Sequence, residues 1–169
     1  MTIGQSMTIA RYLARRFGLA GKTDVDAAEA DQAVDAINDL LNNLGPVRTE
    51  QDEEKKAEMK KKLQTETFPN WLKMMETLLT SKGGKYFAGK QLTWADIAVY
   101  HSLEMLQVSH SLSDDILIFV IQGVLGEPDM EGCPNLLKML ETVKNLPNIQ
   151  KWVAARPNTP MQIICDCYT

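Results

Sequence analysis

The chain has 169 residues, 44% of them hydrophobic and 24% charged, with 18 Lys and Arg against 22 Asp and Glu for a formal net charge of −4 at pH 7. That length suits one domain burying roughly 70% of its unfolded surface, and the acidic balance excludes the electrostatic footprint of a nucleic-acid binder. No apolar run approaches the ~20 residues that span a bilayer, and the first residues lack the charged start and apolar stretch of a secretory signal.

Three cysteines, Cys133, Cys165 and Cys167, are too few and too unevenly spaced for a disulfide framework. A reducing, cytoplasmic setting is expected, with no membrane partner. Cys165-x-Cys167 reads either as a soft-metal pair needing outside ligands or as a tail thiol pair. The Lys55-Lys56 and Lys60-Lys61-Lys62 clusters are interleaved with Glu53, Glu54 and Glu58, the pattern of a solvated helix face.

From Ser6 to Phe17 apolar residues recur at helical spacing (Met7, Ala10, Leu13, Ala14, Phe17) until Gly18 stops the run. A linker follows, and a second helix is predicted from Thr23 or Asp24 to about Asn43, carried by Ala27, Ala30, Val34, Ile37 and Leu41 and ended by Gly45-Pro46. The third segment, about Glu50 to Thr80, begins charged and turns apolar at Phe68. Pro69 should kink or split it by removing one amide donor and crowding the preceding turn. Gly83-Gly84 closes it.

Leu92-Thr93-Trp94-Ala95-Asp96-Ile97 is the sharpest local signal. Thr93 and Asp96 form a capping box bracketed by a Leu92–Ile97 hydrophobic staple, so a helix running to about Val108 is expected and Asp96 is read as structural. The apolar run Ile116–Ile121 permits a buried helix or a strand. Last come helices at Asn135–Lys144 and Ile149–Ala155, stopped by Arg156-Pro157. The sum is an all-α fold.

Taken residue by residue, the catalytic inventory is thin. His101 and His110 have no carboxylate or cysteine at a metal-ligand spacing, and no metal is expected. There is no phosphate-cradling glycine loop, nucleophile elbow or HExxH helix. Trp71, Trp94 and Trp152 read as core aromatics. Asp31, Asp35 and Asp39 are spaced four apart and share one face of the second helix. Such a column is either solvated surface or faces a cation, an ammonium group or a partner's basic residues.

Several stretches resemble a known family. Gly4-Gln5-Ser6-Met7-Thr8-Ile9-Ala10-Arg11-Tyr12-Leu13 and then Leu19-Ala20-Gly21 resemble the end of the thioredoxin-like domain of cytosolic glutathione transferases. The likeness is greatest to the sigma class, which includes glutathione-dependent prostaglandin D synthases and the S-crystallins. Phe87-Ala88-Gly89-Lys90-Gln91-Leu92-Thr93-Trp94-Ala95-Asp96 is similar to the family's helical-domain signature, and Leu146-Pro147-Asn148-Ile149 with Trp152 and Arg156-Pro157 to its closing helix.

The resemblance implies a C-terminal helical bundle (residues 21–161) preceded by the last helix of a thioredoxin-like domain (residues 1–20) and followed by a tail (162–169). It implies glutathione as co-substrate, a small hydrophobic electrophile as the second substrate, and a homodimer. Gln5 and Ser6 would bind the γ-glutamyl end of glutathione. Asp39 would reach across a dimer to the glutathione amino group. Asp35 and Asn38 fall where prostaglandin-synthase relatives hold a divalent cation with further acids, and Asn38 breaks that set. Leu41, Leu44 and Pro46 would border the hydrophobic substrate site.

The family's catalytic tyrosine, which stabilises the glutathione thiolate, has no counterpart among these residues. The expectation is therefore glutathione conjugation or isomerisation by ancestry, without turnover by these residues alone. The alternative is a non-catalytic dimerisation or structural module of S-crystallin type.

Overall fold

The computed structural model describes residues 2–107, 124–125 and 129–156, the side chains of 105–107 aside. Every regular element among them is helical: α1 (Ser6–Arg16), α2 (Asp24–Asn42), α3 (Leu44–Thr49), α4 (Glu53–Lys62), a π-helical turn (Leu63–Thr67), α5 (Phe68–Ser81), α6 (Trp94–Gln107), α7 (Pro134–Lys144) and α8 (Pro147–Ala155). The all-α reading therefore holds. The Ile116–Ile121 run, His110 and the Cys165/Cys167 pair lie outside the described residues. No described helix is long and apolar enough to cross a membrane.

The ends of α1 and α2 follow from local chemistry. Gly18 at φ 72° lets Leu19 N–H turn back to Ala14 O at 2.8 Å, a left-handed stop that a Cβ would disfavour. α2 opens on a reciprocal capping box: Thr23 Oγ1 accepts Asp26 N–H at 3.1 Å, and Asp26 Oδ2 accepts the N–H groups of Thr23 at 3.1 Å and Lys22 at 2.9 Å. Gly45-Pro46, expected to end the helical path, instead lies in the first turn of α3. A helix's first amides have no intrahelical partner, so proline's missing N–H is tolerated there.

The third segment divides as Pro69 demands. Phe68 N–H reaches back five residues to Leu63 O, the wide turn of a π-bulge, and Pro69 then falls in the first turn of α5. α4 buries no residue, as its alternating Glu and Lys anticipate. α5 packs through Phe68, Trp71, Leu72, Met75 and Leu79, and Trp71 Nε1–H donates to Ala36 O of α2 at 2.7 Å.

α6 is the central helix. It contacts α1, α2 and α7, and Ala95, Val99, Tyr100 and Leu103 along it are buried. Its first turn is fixed by Asp96, fully buried. Asp96 Oδ2 accepts the Thr93 N–H at 2.7 Å and the Thr93 hydroxyl at 3.1 Å, and Oδ1 accepts Phe87 N–H at 2.9 Å. The carboxylate thus ties the loop before α6 as well as capping the helix, beyond what the sequence box predicts. Burial pushes its pKa above the ordinary value, against the pull of those donors.

Of the tryptophans, Trp71 and Trp94 are in the core, but Trp152 is 61% exposed. The expectation of three core aromatics fails there because α8 buries none of its residues.

Candidate functional site

The residues singled out by sequence fall on the first three helices. α1 begins at Ser6, and Gln5 precedes it with φ 69° and ψ 117°, the one positive φ among described non-glycine residues. Side-chain sterics disfavour this region, at a cost of about 1–3 kcal/mol. Gln5 O still accepts Ile9 N–H at 3.0 Å, so the helix starts directly from the strained residue. No side chain caps α1. Its first amides and the positive end of its dipole therefore face outward beside the exposed Gln5 and Ser6, an arrangement suited to a carboxylate.

The aspartate column on α2 has an intramolecular answer. Arg11 of α1 sets Nε 2.9 Å from Asp31 Oδ1 and a terminal nitrogen 3.9 Å from Asp35 Oδ1, while its guanidinium lies 5.3 Å from the centre of the Trp94 ring. Of the two readings left open, the upper column faces a cation, and that cation is the chain's own. Sequence reasoning missed Arg11, although an arginine inside the apolar rhythm of α1 was the available signal.

Asp39 is exposed and makes no ion pair among those found in the described residues. It lies eight residues beyond Asp31, about 12 Å along the helix, and no hydrogen bond within the chain joins it to Gln5 or Ser6. Leu41 is 38% exposed, whereas Leu44 is in the core at 7%. Pro46 is exposed in the first turn of α3. The structure therefore puts the adjacent Gln5 and Ser6 at the start of α1, leaves Asp39 without a bond to them, and turns Leu44 inward.

Among the described residues, no group of three or more His, Cys, Asp or Glu is placed to hold a metal. His101 is exposed on α6. Cys133 is buried, its thiol directed at Leu72 O at 3.7 Å, and burial raises its pKa, the state of an inert core thiol. A separate cleft of about 600 Å³ lies between α6 and α7, bordered by Tyr100, Glu104, Leu137, Leu140, Glu141 and Lys144.

Comparison with known proteins agrees with this architecture. Residues 38–156 match the family described as "Glutathione S-transferase, C-terminal domain". The chain is 35% identical over 161 residues to glutathione S-transferase 1 of Ascaris suum, covering 94% of this chain and 70% of that protein. It is 36% identical over 158 residues to the hematopoietic prostaglandin D synthase of Gallus gallus, covering 93% and 69%. A solved prostaglandin D synthase structure of Nilaparvata lugens superposes with a TM-score of 0.72 at 27% identity, covering 93% of this chain and 70% of that one. The chain belongs to the glutathione transferase family, whose co-substrate is glutathione.

Proposed function

We propose that these residues form the γ-glutamyl end of a glutathione site. Gln5 and Ser6 hold the γ-glutamyl group at the start of α1, and Asp39 of a second copy meets its ammonium in a homodimer. Leu41, Leu44 and Pro46 border the place of a small hydrophobic electrophile. Residues 1–20 are then the closing part of a thioredoxin-like domain, 21–161 the helical domain and 162–169 a tail. The ancestral chemistry of such a site is conjugation or isomerisation in the cytoplasm.

One observation carries this reading: the strained Gln5 backbone at the uncapped start of α1. Strain of that size persists where the surroundings over-determine it, and it concentrates at ligand clamps. Leu44 is the weakest member of the set, since its side chain is buried.

Residues 1–169 by themselves bind without turnover. Bringing a thiol pKa from about 8.5 toward 7 requires a donor aimed at the sulfur, and no residue here is assigned that task. Tyr12 is on α1, beyond the γ-glutamyl end. Equilibrium dialysis should find saturable glutathione binding at millimolar concentration, with no conjugation of an electrophilic aromatic substrate. Measurable turnover overturns the inactivity, and absence of binding overturns the site.

A second reading, a structural association module, has its own observation. Ile9 and Leu13 of α1 and Phe17 at its C-terminal end, spaced four apart, are 39%, 42% and 70% exposed, a stripe suited to burial against another layer. Oligomers by sedimentation in a protein that does not bind glutathione would favour it.

A further inference from the structure

α1 carries the proposed glutathione contacts, yet it is poorly held by apolar packing. Ala14 is its one buried residue, and only Met7 and Ala10 join it in partial burial against the core. Two alanine methyls and one flexible methionine give a surface with little to fix a helix in rotation or slide. At the far end, Trp94 N–H donates to Leu19 O at 2.9 Å, which tethers the chain after α1 without orienting the helix itself.

The directional contacts come from Arg11. Its fork pairs with Asp31 at 2.9 Å and approaches Asp35 at 3.9 Å, both on α2. Its guanidinium carbon lies over Trp94 at the start of α6, 5.3 Å from the ring centre. A guanidinium bonded to a carboxylate on one helix and set over an indole on another links the helix that bears it to both, which limits its tilt and rotation. Ser6 lies five residues away, about 7.5 Å along the axis, so a small rotation at Arg11 moves the first amides of α1 off a bound carboxylate. The same contacts engage Asp31 and only approach Asp35, which stays 66% exposed, while Asp39 pairs with no cation among the described residues.

We infer that Arg11 is a positioning residue for the γ-glutamyl end of the site, acting through Asp31 and Trp94 to set the orientation of α1. The inference rests on the proposed glutathione reading, and its test separates the two. Equilibrium dialysis of glutathione and of cysteinylglycine, which lacks the γ-glutamyl group, gives a preference ratio for the full chain and for Arg11→Gln and Asp31→Asn.

The unaltered chain should prefer glutathione by about tenfold or more, the value of a charge-assisted hydrogen bond. Both variants should fall to a ratio near one. Loss of folding alone weakens both ligands together and leaves the ratio unchanged, so each ratio is read on the fraction that circular dichroism finds folded. Should the unaltered chain itself show no preference, the glutathione reading fails. A preference kept by either folded variant overturns the role of Arg11 alone.

Discussion

Asp26 and Asp96 perform the same act seventy residues apart, each accepting the backbone N–H of a threonine three positions earlier at the start of a helix, but in opposite surroundings. Asp26 is partly exposed at α2, accepting from Lys22 and Thr23. Asp96 is fully buried at α6, accepting from Thr93 and Phe87. The backbone N–H of Lys22 heads the causes that hold the Asp26 carboxyl below its usual range, while burial lifts that of Asp96 above it.

Opposite pH signatures follow. An acid with a lowered folded pKa contributes stability above its ordinary value and loses it as pH falls through the lowered one. An acid with a raised folded pKa holds its proton where the unfolded chain has released it, so its contribution is present at low pH and is lost as pH rises through the raised value. The cost of Asp26→Asn should therefore shrink on acidification, whereas that of Asp96→Asn should grow. Urea midpoints across a pH series, at constant m-value, measure both. Slopes of the same sign would refute the contrast.

The Thr93–Asp96 pair was legible because capping is local, a threonine and an acid three apart before an apolar run, although the Thr93 hydroxyl turns out to donate to Asp96; the same local signal at Thr23 and Asp26 went unread. Pro69 was legible for the same reason, since its missing N–H acts within one turn. Gly45-Pro46 misled because a proline that stops one helix and a proline in the first turn of another look alike in sequence; the buried Leu44 and Val47 on α3 decide between them. Trp152 misled because periodicity predicts a helix but not whether a neighbour covers its apolar face. At the candidate site, Gln5 and Ser6 were found only through resemblance, for a backbone angle leaves no trace in composition. Arg11's grip on Asp31 joins residues twenty apart, beyond the reach of any helical period.

Glu76 caps a helix that is not its own. Pro134 at the start of α7 has no N–H, and no side-chain cap comes from Cys133. The next two amides cross to α5 instead: Asn135 N–H donates to Glu76 Oε1 at 3.1 Å and Leu136 N–H to Oε2 at 2.8 Å, with Asn135 Nδ2 adding a bond to Oε1 at 2.8 Å. Glu76→Ala should cost about 2–3 kcal/mol, a lost cap at a helix's positive end plus part-buried amides left without partners. Chemical denaturation measures it, and a loss below about 0.5 kcal/mol would show that water replaces the carboxylate.

Gly21 has φ 96°, and a Cβ built there would stand 2.4 Å from Asp26 Cβ and 3.0 Å from the Asp26 backbone carbon. Gly21→Ala should destabilise by about 2–3 kcal/mol through backbone strain and displacement of Asp26. Its effect should be less than additive with Asp26→Asn, because both open the same capping box. Gly45→Ala is the control: its Cβ would meet nothing within 4 Å, and alanine in α3 should be neutral or slightly stabilising.

Tyr100 donates its hydroxyl to Glu104 Oε1 at 2.8 Å beside the α6–α7 cleft. Burial, then the hydrogen bond to Glu104, pushes its pKa from 10.0 up to about 12. Because the folded value is the higher one, the neutral phenol's contribution is fully present below pH 10 and is lost as pH rises toward 12. Phenolate absorbance should show a late-titrating group that Tyr100→Phe removes, and Glu104→Gln should bring that group to lower pH by replacing the charged acceptor with a neutral one. A titration unchanged by Tyr100→Phe would assign the late phase elsewhere, and one unchanged by Glu104→Gln would leave burial as its whole cause.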